Sequence, residues 1–313
     1  MLGLVGKLKN IPIAFNGVAL SLITLAQIYP QLHMYILALL CLSLSIIIFV
    51  IKLLKYSIYQ NVLFNELNDY INGGFLPLFT MYVAGLSKFL YPYNQVLSEV
   101  VWYLAFIAHL ALTIYLYYSH SRQKNLSLIL PNWFIPPIGF IAIGLAAESS
   151  TSRVIAHWIF LFSDVTIIPI SLAILYRQIV KPLTSFEMYT TGIYAAPLSL
   201  LILALLKDHS LPFCELQLTI LFYTNIIFNL FSVAGLVVCL KKRECIPCFA
   251  CFTFPFAVSA LANLKYAKIS PAALSASYIA LLLSSIMTAY TIYMIITRHL
   301  RSLSPLPANY DNQ

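Results

Sequence analysis

Phe252-Thr253-Phe254-Pro255-Phe256-Ala257 sets a proline inside an apolar run that extends from about 246 to 264. Proline has no backbone N–H and its ring collides with the preceding turn, so within a helix it removes a hydrogen bond and bends the axis. The same arrangement recurs upstream at Pro197, at Pro136 with Pro137, at Pro77 and at Pro12. With Pro137 taken for the third, the intervals from Pro12 to Pro255 are 65, 60, 60 and 58 residues. A near-constant period marks a repeated unit, and this length fits a hairpin of two membrane-crossing helices.

Composition supports that scale. Of 313 residues, 61% are hydrophobic and 9% charged, with a mean hydropathy of +0.88. A soluble domain carries about 25% charged residues, so a soluble enzyme, a coiled coil and a disordered chain are excluded. The net charge of +8 makes no nucleic-acid patch, because the basic residues are scattered between apolar runs. No partner of that kind is expected. Strand-period alternation is absent, which leaves helices to satisfy the backbone.

Apolar runs fall at about 11–29, 34–54, 71–91, 96–118, 131–147, 154–176, 188–206, 213–240, 246–264 and 270–297, which predicts ten spans in one transmembrane domain covering 1–313. No small-x-small cleavage site follows the first run, so it reads as a span and not as a signal peptide. With the N-terminus inside, 13 basic residues face the cytoplasm, among them Lys7, Lys52, Lys55, Lys124, Arg177, Arg243 and Arg301. Only Lys88, Arg153, Lys207, Lys265 and Lys268 face outward. The positive-inside rule therefore places both termini in the cytoplasm.

Glycine follows proline: Gly17, Gly73, Gly74, Gly85, Gly139, Gly144 and Gly192 lie on odd spans, and Gly235 alone on an even one. Broken, glycine-bearing helices are tolerated in a membrane only where protein or a water-filled cavity surrounds them. The fold predicted is thus an all-α polytopic membrane protein of five hairpins. Odd, kinked helices form an inner pore ring and even helices an outer ring against lipid.

Several stretches carry a family resemblance: Ile11-Pro12-Ile13-Ala14-Phe15-Asn16-Gly17-Val18-Ala19-Leu20, Pro131-Asn132-Trp133-Phe134-Ile135-Pro136-Pro137, Gly192-Ile193-Tyr194-Ala195-Ala196-Pro197, Phe252 to Ala257, and Leu175-Tyr176-Arg177. On these the chain resembles the bacterial tellurite-resistance protein A and dicarboxylate transporter family, which is similar to the plant slow anion channels. The resemblance implies ten helices in five hairpins, a homotrimer with one pore per protomer, and the bacterial inner membrane. It also implies a pore occluded by a phenylalanine of the ninth helix, which here is Phe254.

Pore lining is expected near the kinks, from Gly17, Leu20, Pro77, Thr80, Pro137, Gly139, Pro197, Ser199, Pro255 and Ser259. Lys265 and Lys268 are the expected vestibule charges. Freed carbonyls would repel anions, so preference must come from an uncharged path and basic mouths. Asp164 in the sixth span is expected to be protonated, paired with His157 or paired on another helix. His109 reads as a satisfied polar contact. Cys245-Ile246-Pro247-Cys248-Phe249-Ala250-Cys251 lacks a fourth ligand, so no metal is expected, and no cofactor or enzyme motif is present. The partners are small inorganic or organic anions and membrane lipid. The function predicted is a low-selectivity channel for small monovalent anions. The alternative is a proton-coupled carrier of tellurite-like oxyanions or C4-dicarboxylates such as malate, with Asp164 as its titratable group.

Overall fold

The computed structural model describes residues 8–123, 125–211, 215–242 and 246–300, and every regular element among them is helical. Lys7, Lys124, Arg243, Cys245 and Arg301 lie outside the described residues. The α-helices are α1 (Phe15–Ile28), α2 (Tyr35–Ile58), α3 (Gln60–Asn68), α4 (Pro77–Leu90), α5 (Gln95–Ser121), α6 (Ile135–Leu145), α7 (Ser150–Val180), α8 (Pro197–Lys207), α9 (Glu215–Lys242), α10 (Thr253–Tyr266) and α11 (Ala273–Leu300). Among the described residues, seven helical stretches are long and apolar enough to cross a membrane.

Two populations of helix are distinguished by burial. In the most apolar window of Glu187–Lys207, 89% of residues are buried, against 17% in that of Tyr35–Ile58. In α1 only Gln27 escapes full burial. The buried helices pack in a closed cycle, α1 on α4, α4 on α6, α6 on α8, α8 on α10 and α10 back on α1. Each also packs against the long helix that follows it in the chain, namely α2, α5, α7, α9 and α11. The long helices expose rows of Leu, Ile, Val and aromatic side chains, such as Ile36, Leu104, Val165 and Leu230. Such faces suit hydrocarbon and not water.

The prolines differ from their predicted role. They do not kink long helices; they stand where a 3₁₀ segment hands over to an α-helix. Gly73–Phe75 precedes α4, which begins at Pro77, and Glu187–Ala195 precedes α8, which begins at Pro197. Pro131–Phe134 leads into α6 with Pro136 and Pro137 in its first turn, and Ile246–Phe252 leads into α10 with Pro255 at the third position. Ahead of α1 the bonds are also of the tight i−3 kind, from Phe15 N to Pro12 O at 3.2 Å and from Asn16 N to Ile13 O at 2.9 Å. In a helix's first turn the missing N–H costs nothing, because that donor would have no intrahelical acceptor. Of the prolines in the described helices, Pro169 of α7 is the interior one.

Carbonyls at these junctions also accept side-chain bonds from the long helices. Lys52 Nζ donates to Pro12 O at 3.1 Å and Lys55 Nζ to Ile11 O at 2.7 Å. His109 Nε2 and Thr113 Oγ1 lie 2.8 and 3.1 Å from Pro136 O. Ser232 Oγ donates to Gly192 O at 3.0 Å, and Ser284 Oγ to Thr253 O at 3.1 Å. Two ion pairs tie the same end of the molecule: Lys55 to Glu66 at 2.6 Å and the fully buried Arg177 to Glu187 at 2.9 Å. Glycine contributes where backbones touch. A Cβ on Gly192 would stand 2.6 Å from Cys251 O, whereas one on Gly85 would meet nothing nearer than the Ile23 side chain at 3.6 Å.

Two outcomes follow. Lys55→Met removes a shared donor from Ile11 O and Glu66, and breaking such a buried pair costs about 3–5 kcal/mol. The unfolding midpoint in detergent should fall sharply and recover in part in Lys55→Met/Glu66→Gln; an unchanged single variant would overturn the capping role. Gly192→Ala should lower that midpoint strongly and Gly85→Ala little, since only the first Cβ meets backbone.

Candidate functional site

The five buried helices enclose a cavity of about 590 Å³ that opens at their C-terminal ends. Each helix contributes one stripe at helical spacing: Leu20, Ile23, Thr24 and Gln27 from α1; Met81, Gly85 and Lys88 from α4; Ala142 and Leu145 from α6; Leu200, Leu203 and Lys207 from α8; Phe254, Val258, Leu261 and Lys265 from α10. Residues three or four apart share a face, which is why the stripes run straight down the helices. Polarity is graded along them. The floor is apolar, while Gln27, Lys88, Glu148, Lys207 and Lys265 gather at the rim.

Beyond the floor lies a second cavity of about 20 Å³, lined by Leu78, Phe134, Ile135, Ile138, Gly139, Ile193, Ala196, Pro197 and Pro255 among others. That is room for about one water. Met81, Leu200 and Phe254 line both spaces and so form the partition between them. Phe254 is buried, at 5% exposure, in the first turn of α10.

Of the residues expected to line a path, Leu20 and Lys265 line the large cavity, Gly139, Pro197 and Pro255 the small one, and Phe254 both. Thr80, Ser199 and Ser259 line neither; Met81, Leu200 and Val258, each one position away, do so. The hydroxyls turn elsewhere because partners satisfy them. Thr80 Oγ1 lies 2.7 Å from His109 Nδ1 of α5, Ser199 Oγ donates to Asn225 Oδ1 of α9 at 2.9 Å, and Ser259 Oγ accepts from Asn263 at 3.4 Å. Gly17 packs against Ala250 O and the Leu78 side chain, and Pro77 and Pro137 are buried beside the cavities without lining either. Lys268 is exposed beyond the rim.

The rim charges form a connected set. Glu148 stands 3.9 Å from Lys88, 3.8 Å from Lys207 and 3.4 Å from Arg153. Lys207 also donates to Leu145 O at 2.8 Å and Ala147 O at 2.7 Å, closing the C-terminus of α6, where a cation opposes the helix dipole. Glu148 is the residue that the sequence concealed. No motif marks it, and two of its cations, Lys88 and Lys207, come from helices distant in the chain.

The intramembrane polar residues take structural places. Asp164 lines neither cavity and does not pair with His157, since seven residues along a helix are about 10 Å apart. His157 Nδ1 instead meets Asp208 Oδ2 at 2.8 Å. Burial raises the Asp208 carboxyl, but hydrogen bonds from Ser210 and His157 outweigh it and leave the group below its ordinary value. His109 bridges Thr80 and Pro136 O, a satisfied contact between α4 and α6. Among the described residues no group of three His, Cys, Asp or Glu could hold a metal.

No curated protein matches the chain. The family model SLAC1, described as the voltage-dependent anion channel, matches residues 10–299, which is nearly the whole sequence. Members are anion channels or transporters and not enzymes, which accords with apolar helices fit for a membrane. The chain therefore belongs to the SLAC1 family of voltage-dependent anion channels.

Proposed function

We propose that this protein is a channel for small monovalent anions, with its path along the axis enclosed by α1, α4, α6, α8 and α10 and its gate at Phe254. In this reading the chain crosses the bacterial inner membrane ten times as five hairpins, assembles as a homotrimer, and keeps both termini in the cytoplasm. The large cavity is then the outer vestibule, since Lys88, Lys207 and Lys265 fall on the outward side of the charge count.

One observation carries the proposal. Passage narrows from about 590 Å³ to about 20 Å³ across Met81, Leu200 and Phe254, all apolar. A constriction of that kind blocks ions by excluding water. Phe254 is the largest of the three and projects from a helix start, where a change of side-chain rotamer needs no helix to move.

Anion preference has a physical basis in the same geometry. Carbonyls at the helix starts accept bonds from Lys52, Lys55, His109, Ser232 and Ser284 of the long helices, which supports a path lined by side chains and not by a carbonyl filter. The small cavity carries no charged side chain. Desolvation there favours large, weakly hydrated anions, and the lysines of the mouth raise the local anion concentration.

Chloride and nitrate currents in planar bilayers test this. Wild type should conduct little, and Phe254→Ala should raise an anion-selective, non-saturating current roughly tenfold or more. Phe254→Leu should fall between them and controls for folding. A folded, silent Phe254→Ala protein with proton-dependent uptake would overturn the channel in favour of the carrier.

A further inference from the structure

We propose that Glu148 is a tethered counter-anion of the wide mouth: it occupies an anion site made by Lys88, Lys207 and Arg153, and an entering anion must compete with it. The inference rests on the channel reading and adds the residue that sets access to the path.

Three lysines and one carboxylate line this rim, and Arg153 approaches the carboxylate from outside it. Lys88, Lys207 and Lys265 all sit in the last turns of buried helices and line the large cavity, and Arg153 adds its guanidinium from α7. Glu148 reaches three of them, yet at 3.4–3.9 Å. Charge-assisted bonds to a carboxylate close to about 2.7–2.9 Å when they are made in full. Arg153 thus gives the carboxylate one long bond at 3.4 Å and the lysines hold it by their field, so a mobile anion can take its place.

Nor is Glu148 spoken for by its own surroundings. It follows the C-terminus of α6, where an acid is disfavoured, and Lys207 already serves the carbonyls there. The start of α7 is capped without it. Ser149 and Ser152 form a reciprocal capping box, and Ser149 Oγ also donates to Glu99 at 2.8 Å. What the Glu148 carboxylate does face is the cavity and its cations. One negative charge among the three lining lysines lowers the field that gathers anions without reversing it.

Glu148→Gln keeps the shape and deletes the charge. In the Phe254→Ala background, the chloride current at about 20 mM salt should rise roughly two- to fivefold, and the gain should vanish near 1 M, where screening shortens to about 3 Å. Glu148→Asp in that background should leave the current unchanged. An unaltered low-salt current in Glu148→Gln, or a gain that persists at high salt, overturns the inference while leaving the channel intact. Silence of Phe254→Ala itself counts against the channel, and the site is then read without conduction. Chloride should raise the unfolding midpoint of Glu148→Gln more than that of wild type, and Lys88→Gln added to Glu148→Gln should abolish the difference. Equal chloride responses in Glu148→Gln and wild type would overturn the site.

Discussion

Side-chain donors of the long helices bond backbone carbonyls at the starts of the buried helices, where an unmet polar group would have no water to turn to, and the rest of the architecture depends on those bonds. An unpaired peptide group in hydrocarbon costs several kcal/mol, more than most packing contacts supply. The long helices meet it with side chains aimed inward: Lys52 and Lys55 at the approach to α1, His109 and Thr113 at α6, Ser232 before α8, Ser284 at α10. Each cap fixes the rotation of a buried helix against its neighbour. The rotation in turn decides which stripe faces the enclosed space.

The same bonds shape the electrostatics of that space. Carbonyls at the helix starts are engaged by donors of the long helices, and the hydroxyls of Thr80 and Ser199 are likewise turned to α5 and α9. What faces inward is methylene, methyl and aromatic surface down to the Met81, Leu200 and Phe254 partition. Charge enters only at the rim, where helix C-termini converge and lysines in the last turns answer their dipoles. An apolar constriction below a positive mouth is an arrangement that repels cations twice, by field and by desolvation.

Much of the fold was legible because hydrocarbon imposes a strict rule on sequence. Apolar runs of membrane length and the proline period located the helical elements, and the family resemblance pointed to Phe254, which lines both cavities. The lining was less legible. Reasoning from polarity selected Thr80, Ser199 and Ser259, but a hydroxyl in an apolar wall is satisfied by a neighbouring helix, and the adjacent Met81, Leu200 and Val258 face the cavities instead. One residue is about 100° of helix rotation, and hydropathy with nearly uniform apolar faces does not encode it.

Sequence by itself determined that the chain is helical and apolar enough to cross a membrane, and that proline recurs in it at a near-constant interval. These depend on local chemistry: a missing N–H, a run of apolar side chains, a biased scatter of lysines. Tertiary structure alone decided that the prolines begin helices and do not bend them, that the buried helices close into a cycle, and that Glu148 meets Lys88, Lys207 and Arg153 at one rim. The reason is physical. Caps and ion pairs join groups as far as 62 residues apart in the chain, and only packing in three dimensions brings such partners within bonding distance.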